Sequence, residues 1–215
     1  MIINFLGDSI TEGAGASCKE NQYVELVGKA LGATVRNYGV SGTRIADNFK
    51  KNDYPEYFAL RGQRMENDAD YVFVFGGTND FGHGDAPIGN INDTTDLSFY
   101  GALKNLIELL LSKYDKEKIA FILPLRRWEE NNPRGSRKTQ DVGVLSKYVD
   151  IMKEVLEKYG IAYMDTFYNS VLPTPPAGQS AFFTDGLHPN DAGHAILAQM
   201  VVAYIQRMEF EKKSK

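Results

Sequence analysis

Ile2-Ile3-Asn4-Phe5-Leu6-Gly7-Asp8-Ser9-Ile10-Thr11-Glu12-Gly13 begins as an apolar run, stops at a glycine and turns polar. An apolar run of this length bounded by a turn signal reads as a buried strand, and the polar stretch after it as a loop ahead of a helix. The junction places Ser9 just past the carboxyl end of that strand. In an open parallel α/β sheet this edge is where ligands bind.

The pattern recurs outward along the chain. Residues 34–38, 71–75, 119–123 and 161–165 are further apolar strand candidates. Between them lie helical spacings: Tyr23, Leu26/Val27 and Ala30/Leu31; then Phe99, Leu103, Leu106/Ile107 and Leu110 behind an expected cap at Asp96. Val144/Leu145, Tyr148/Val149, Ile151/Met152 and Val155 form another, closed by Tyr159-Gly160, and a last helix opens at Asn190/Asp191. About five short strands alternating with helices predict an α/β fold with βαβ crossovers. The sheet is then parallel, covered on both faces and flavodoxin-like, with the first strand central.

No linker or repeat divides the 215 residues, so a single domain spanning 1–215 is expected, with a frayed basic tail from about residue 210. Three connections, 82–96, 124–140 and 168–184, are long enough to wall a site at the ligand edge. A net charge of -4 speaks against a nucleic-acid partner. Cys18 is alone, which excludes an intrachain disulfide and a thiolate metal cage; a partly buried packing role is expected for it. Met1 leads straight into the first strand without a basic leader, and no apolar stretch reaches membrane-spanning length. A cytoplasmic protein without stable membrane anchoring is the expectation, although a chain whose leader had been removed would look the same.

A serine hydroxyl becomes a nucleophile when a base takes its proton and a third group orients that base. Each histidine follows an aspartate at the same spacing: Asp80–His83, Asp185–His188 and Asp191–His194. Spacing therefore does not choose among them. His194 falls inside the last helix, with Asp191 at its N-terminus. His188 sits in a Gly/Pro-braced turn that can aim an imidazole, and position favours it over His83, which stays open in its Gly-rich loop. Acyl transfer also needs donors for an oxyanion. The turn Gly39-Val40-Ser41-Gly42-Thr43 and the segment Gly76-Gly77-Thr78-Asn79-Asp80 can each supply them, although turn geometry and loop hydrogen bonding explain the same residues.

Taken together, Gly7-Asp8-Ser9-Ile10, a glycine after the second strand, Gly77-Thr78-Asn79-Asp80 and Asp185-Gly186-Leu187-His188-Pro189 resemble the four ordered blocks of the SGNH (GDSL-type) hydrolases. The likeness runs from Gly7 to Pro189. It implies a three-layer α/β/α sandwich, with Ser9 as nucleophile, His188 as general base and Asp185 as its orienter. The oxyanion hole it implies combines the Ser9 N–H, the Gly42 N–H and the Asn79 side-chain amide. Ile10 departs from the commoner leucine without touching chemistry. His83 then belongs to the pocket wall. Asp8 caps the turn that aims Ser9 and stands beside it as a candidate substrate contact.

The resemblance further implies hydrolysis of a small-molecule oxygen ester or thioester with no metal and no cofactor. Deacetylation of acylated sugars leads, ahead of short-chain thioester or lysophospholipid hydrolysis. In the 124–140 connection, Trp128 is a candidate to stack on a sugar ring and Arg126 to meet an anion; alternatively the tryptophan packs the loop down and the arginine faces water. Phe81, Phe182 and Phe183 are candidate walls of an acyl pocket. A flavin or phosphate cradle at residues 7–15 lacks both glycine fingerprints and leaves Asp185 and His188 unused. A metal-dependent hydrolase lacks a His-x-x-x-His pair. A non-catalytic carbohydrate-binding module on the same scaffold is the remaining rival.

Overall fold

The computed structural model describes residues 1–47, 56–133, 142–173, 175 and 179–213. Strands β1 (Ile2–Gly7), β2 (Thr34–Gly39), β3 (Tyr71–Phe75), β4 (Ile119–Ile122) and β5 (Ala162–Met164) form one parallel sheet in the order β2-β1-β3-β4-β5. This is the flavodoxin-like order, with β1 inside. In register, Gly7 lies between Gly39 and Phe75, so β1, β2 and β3 end level with one another. The segments that leave those three ends carry Ser9, Gly42 and Asn79.

The helices are α1 (Ser9–Glu12), α2 (Tyr23–Leu31), α3 (Phe58–Gln63), α4 (Thr78–His83), α5 (Phe99–Lys113), α6 (Leu145–Tyr159), α7 (Gln179–Phe182) and α8 (Asp191–Lys213). Alternation along the strands builds a core on each face of the sheet. Leu6, Val72, Val74 and Phe121 pack with Leu103, Leu106, Tyr148 and Met152 of α5 and α6. Ile3, Phe5, Tyr71, Phe73 and Ile122 pack on the other face with Tyr23, Val27, Leu197 and Val201 of α2 and α8. The result is a three-layer α/β/α sandwich. Phe73, buried and stacked on Phe5 at 5.6 Å, shows the scale: truncating such a ring to alanine costs about 3–5 kcal/mol.

Two local expectations are corrected. Helix α5 is capped by Ser98, whose side chain accepts from the Gly101 N–H, and not by Asp96. The Asp96 carboxylate instead accepts from the Tyr57 hydroxyl and from the Asn105 amide, which ties the preceding loop to α5. Cys18 is exposed, ahead of a 3-10 turn at Lys19–Asn21, and not partly buried. Helix α8 continues to Lys213, so of the tail expected to fray only residues 214–215 lie outside the described residues. So do residues 134–140 of the second long connection and 174 and 176–178 of the third. Among the described residues, no helix is long and apolar enough to cross a membrane.

Candidate active site

The turn from β1 into α1 leaves no room for a side chain at Gly7, where a Cβ would collide with Thr11. Asp8 caps the four-residue helix by accepting from the Ile10 N–H at 3.1 Å. Thr11 is pinned in turn, its hydroxyl to Tyr23 at 2.9 Å and its carbonyl to the Asn37 amide at 2.6 Å. So short a helix is marginal alone and is held by these contacts. Asp8 is 1% exposed, and burial pushes its carboxyl up to about 7. It braces the turn from inside, which corrects the expectation that it contacts substrate.

Ser9 Oγ lies 2.9 Å from His188 Nε2, across 179 residues of sequence. On the far side of the ring, His188 Nδ1 lies 2.7 Å from Asp185 Oδ2. The other carboxylate oxygen accepts from the backbone N–H groups of Leu187 at 3.0 Å and His188 at 2.8 Å. Partial burial raises the Asp185 carboxyl, but these bonds and the imidazole outweigh it and hold it below the usual carboxylate range. An ionised Asp185 only accepts, so Nδ1 carries the proton and Nε2 turns its lone pair to the Ser9 O–H. The turn is closed by the Thr184 N–H donating to the His188 carbonyl at 2.9 Å. Gly15 packs against it so tightly that a Cβ would strike the Pro189 carbonyl.

The other two aspartate–histidine spacings resolve into structural clamps. The Asp80 carboxylate accepts from the N–H groups of Ile45 at 3.0 Å and Ala46 at 2.9 Å, and burial pushes it up to about 6. Asp191 accepts from the Ser17 N–H at 2.7 Å and the Asn21 amide at 2.9 Å. His194 is buried between the Tyr23 N–H and the Ala14 carbonyl, and burial lowers its affinity for a proton. His83 ends α4, one turn beyond Asn79. The imidazole that reaches Ser9 is that of His188.

The two glycines of the second block separate clearly. The Gly39 N–H is taken by the Asn37 side chain at 2.8 Å, and a Cβ there would collide with the Glu12 backbone. In the following turn, Val40 N–H goes to Gly7, Ser41 N–H to the Glu12 carboxylate and Thr43 N–H to Val40. Gly42, at φ +76°, has an N–H without an acceptor among the described residues, as does Ser9. Asn79 is nearly buried and gives one of its two amide hydrogens to the Thr43 carbonyl at 3.0 Å, which leaves the second. Arg61 staples the base of the same turn, donating to Gly7 O at 3.0 Å and Thr43 Oγ1 at 2.9 Å. Sequence reading missed both Glu12 and Arg61. Glu12 stood inside the first block, and nothing local marked Arg61.

The loop after β4 is built around Glu130, which is 4% exposed. Its carboxylate accepts from Arg126 Nε at 2.7 Å and from the Arg127 N–H at 3.0 Å, and its carbonyl from the Leu145 N–H at 2.8 Å. Arg126 is therefore paired within the loop, with its guanidinium 4.8 Å above the Phe167 ring and its side chain 33% exposed to water. The Trp128 N–H donates to Gly186 O at 2.9 Å while its ring lies over Gly186, where a Cβ would come within 2.6 Å of the indole. Trp128 thus packs on the turn that carries Asp185 and still remains 46% exposed. Phe81 and Phe183 are buried in the two cores, which corrects the expectation that they wall an open pocket.

A sequence model described as the GDSL-like Lipase/Acylhydrolase family matches residues 5–196. A solved structure of a protein from Lactobacillus plantarum is 27% identical with a TM-score of 0.81, covering 95% of this chain and 96% of that one. A lipase/acylhydrolase from Enterococcus faecalis, 22% identical over 95% and 94% of the two chains, shares the fold with a TM-score of 0.63. So does a carbohydrate acetylesterase family member from Sinorhizobium meliloti, 18% identical over 96% and 98%, with a TM-score of 0.66. Among curated proteins nothing matches this sequence.

Proposed function

The chain belongs to the GDSL-like lipase/acylhydrolase family and is an ester-bond hydrolase; from that premise we propose that it is a serine esterase cleaving small, polar carboxylic esters through an acyl-enzyme, with acetylated carbohydrates as leading substrates. The observation that carries this reading is the unbroken relay from Ser9 Oγ through the His188 imidazole to the Asp185 carboxylate.

His188 Nε2 takes the Ser9 proton as Oγ attacks the ester carbonyl. The Ser9 N–H, the Gly42 N–H and the second Asn79 hydrogen receive the oxyanion. Each such donor contributes about 10²–10³ in turnover because it is fixed before the charge develops. The tetrahedral intermediate collapses, the imidazolium gives its proton to the departing alcohol oxygen, and the acyl group stays on Ser9. Water, deprotonated by His188, then releases the acid. Asp185 keeps the ring in the accepting tautomer and offsets the imidazolium charge. Activity falls in acid, because a protonated imidazole takes no proton.

Short acyl groups fit best, since Phe81 and Phe183 are spent on the cores and offer no apolar slot for a long chain. Thioesters or lysophospholipids would use the same nucleophile with another leaving group. A carbohydrate- or phosphate-binding module would have no use for the relay.

The test is hydrolysis of p-nitrophenyl esters, acetate through octanoate, by the native protein and Ser9→Ala in parallel. Native cleavage that declines with acyl length, and a loss of at least about 10³-fold in Ser9→Ala, is the expected result. Cleavage that survives the substitution refutes the assignment.

A further inference from the structure

Ser9 and His188 meet at 2.9 Å although no strand pairing fixes one against the other. Ser9 leaves the end of β1, whereas His188 lies in the turn between α7 and α8, well past the end of β5 at Met164. They are held in place by contacts between the segment that follows α1 and the first turn of α8. Those contacts use Asp191 and His194, an aspartate–histidine pair to which the mechanism above gives no part. We infer that Asp191 and His194 form a latch that sets the distance from Ser9 Oγ to His188 Nε2, which makes them positioning residues for proton transfer. The inference rests on the esterase reading and adds to it the parts that bring nucleophile and base together.

Both sides of the latch are continuous with the reacting groups. On the nucleophile side, the Ser9 carbonyl accepts from the Gly13 N–H at 3.0 Å and the Ala14 N–H at 2.8 Å. The Ala14 carbonyl then accepts from His194 Nε2 at 3.1 Å. At the other ring nitrogen, the Tyr23 N–H donates to His194 Nδ1 at 3.3 Å, and the Tyr23 ring stacks on the imidazole with centroids 6.1 Å apart. Only a neutral imidazole can accept at Nδ1 while it donates at Nε2, and full burial favours that form. Asp191 takes the Ser17 N–H at 2.7 Å, the Ser17 hydroxyl at 2.6 Å and the Asn21 amide at 2.9 Å. On the base side, the His194 N–H donates to the Asn190 carbonyl at 2.8 Å, and Pro189 alone separates Asn190 from His188. Between the two sides lies Gly15, where a Cβ would come within 3.2 Å of the His188 Cβ. Proton transfer needs Oγ and Nε2 within hydrogen-bond reach, and a shift of about 1 Å can cost about 10²-fold. The latch therefore acts on kcat and leaves substrate binding alone.

The test uses two substitutions that split the bonds of His194. A glutamine amide nitrogen falls where Nε2 stood and still reaches the Ala14 carbonyl. An asparagine oxygen falls where Nδ1 stood, keeps the Tyr23 N–H and is too short for Ala14. We would measure kcat and KM on p-nitrophenyl acetate at pH 8 for the native protein, His194→Asn and His194→Gln, with a thermal melt of each. Both variants lose melting temperature, but kcat falls about 10²-fold in His194→Asn, with KM within about threefold, and returns to within about fivefold of native in His194→Gln. Equal kcat losses in the two variants, or a folded His194→Asn with native kcat, overturn the latch and leave His194 as core packing. Should neither variant fold, Asp191→Ala decides, since its carboxylate is only partly buried. A fall in kcat of about tenfold at unchanged KM supports the latch, and an unchanged kcat overturns it. Ser9-dependent cleavage by the native protein, matched by every variant, sinks the latch and keeps the esterase. A native protein that cleaves no ester and takes no fluorophosphonate on Ser9 sinks the esterase reading, and the latch with it.

Discussion

Replacing Asp185 with asparagine separates the orientation of His188 from the folding of its turn. One Asp185 oxygen accepts two backbone N–H groups, at 3.0 and 2.8 Å, and the other faces the ring at 2.7 Å. An asparagine has one acceptor for both tasks. Turning its NH2 to the backbone forfeits two bonds and opposes donor to donor, at about 1–3 kcal/mol for each group left unsatisfied. The oxygen therefore stays on the backbone and the NH2 faces Nδ1. That forces Nδ1 to accept, moves the ring proton to Nε2, and leaves no lone pair for the Ser9 hydroxyl. In a serine hydrolase of this design, losing both the tautomer and the imidazolium partner costs about 10⁴ in kcat. Here the Asp185 side chain is 53% exposed, so water screens its charge, and a loss nearer about 10³ is expected. The assay is kcat and KM on p-nitrophenyl acetate at pH 8, with a thermal melt to show that the variant folds. A folded Asp185→Asn with kcat within about tenfold of native, or a loss carried by KM, would refute the reasoning.

Gly39→Ala should unfold or severely destabilise the protein, because its Cβ meets Glu12 backbone that cannot yield, whereas Gly42→Ala meets open space and costs about 1–2 kcal/mol for its left-handed backbone; thermal melts of the pair check the order. Glu12→Ala releases the Ser41 N–H beside Gly42 and should lower kcat about tenfold with little change in KM; an unchanged kcat would separate Glu12 from the oxyanion turn. Burial raises Asp8 to about 7, above its unfolded value near 4, so the folded state binds the extra proton and this group's contribution to stability falls as pH rises from about 4 to about 7. Asp8→Asn should thus gain on the native protein in melting temperature between pH 5 and pH 8, and a difference that is flat or shrinks with pH would contradict the burial account.

The strand positions and the four functional blocks were legible because each is written locally, and the parallel sheet order was expected from the alternation of strands with helices. An apolar run of four to six residues ending at a turn reports burial on two faces, and the glycines at 7, 39 and 77 sit where strands end. The cap of α5 was missed within two residues, since Asp96 and Ser98 are both good caps in isolation. The choice fell to the Tyr57 and Asn105 groups that claim the Asp96 carboxylate. The misplaced Phe81 and Phe183 have the same cause, for a local reading cannot tell an aromatic that lines a pocket from one that fills a core.

Three aspartate–histidine pairs at one spacing stayed degenerate as sequence and became unlike one another only in three dimensions. Asp80 clamps the Ile45 and Ala46 amides, Asp191 clamps Ser17 and Asn21, and Asp185 alone of the three orients an imidazole onto a serine 179 residues away. Gly39 and Gly42 likewise differ through what occupies the N–H, an Asn37 side chain in one and nothing among the described residues in the other. The sequence by itself determined which residue types reach the carboxyl edge of the sheet, because strand and turn propensities act over a few neighbouring residues. Only the tertiary structure decided which of them meet, because a hydrogen bond is decided by distances of about 3 Å that chain separation does not encode.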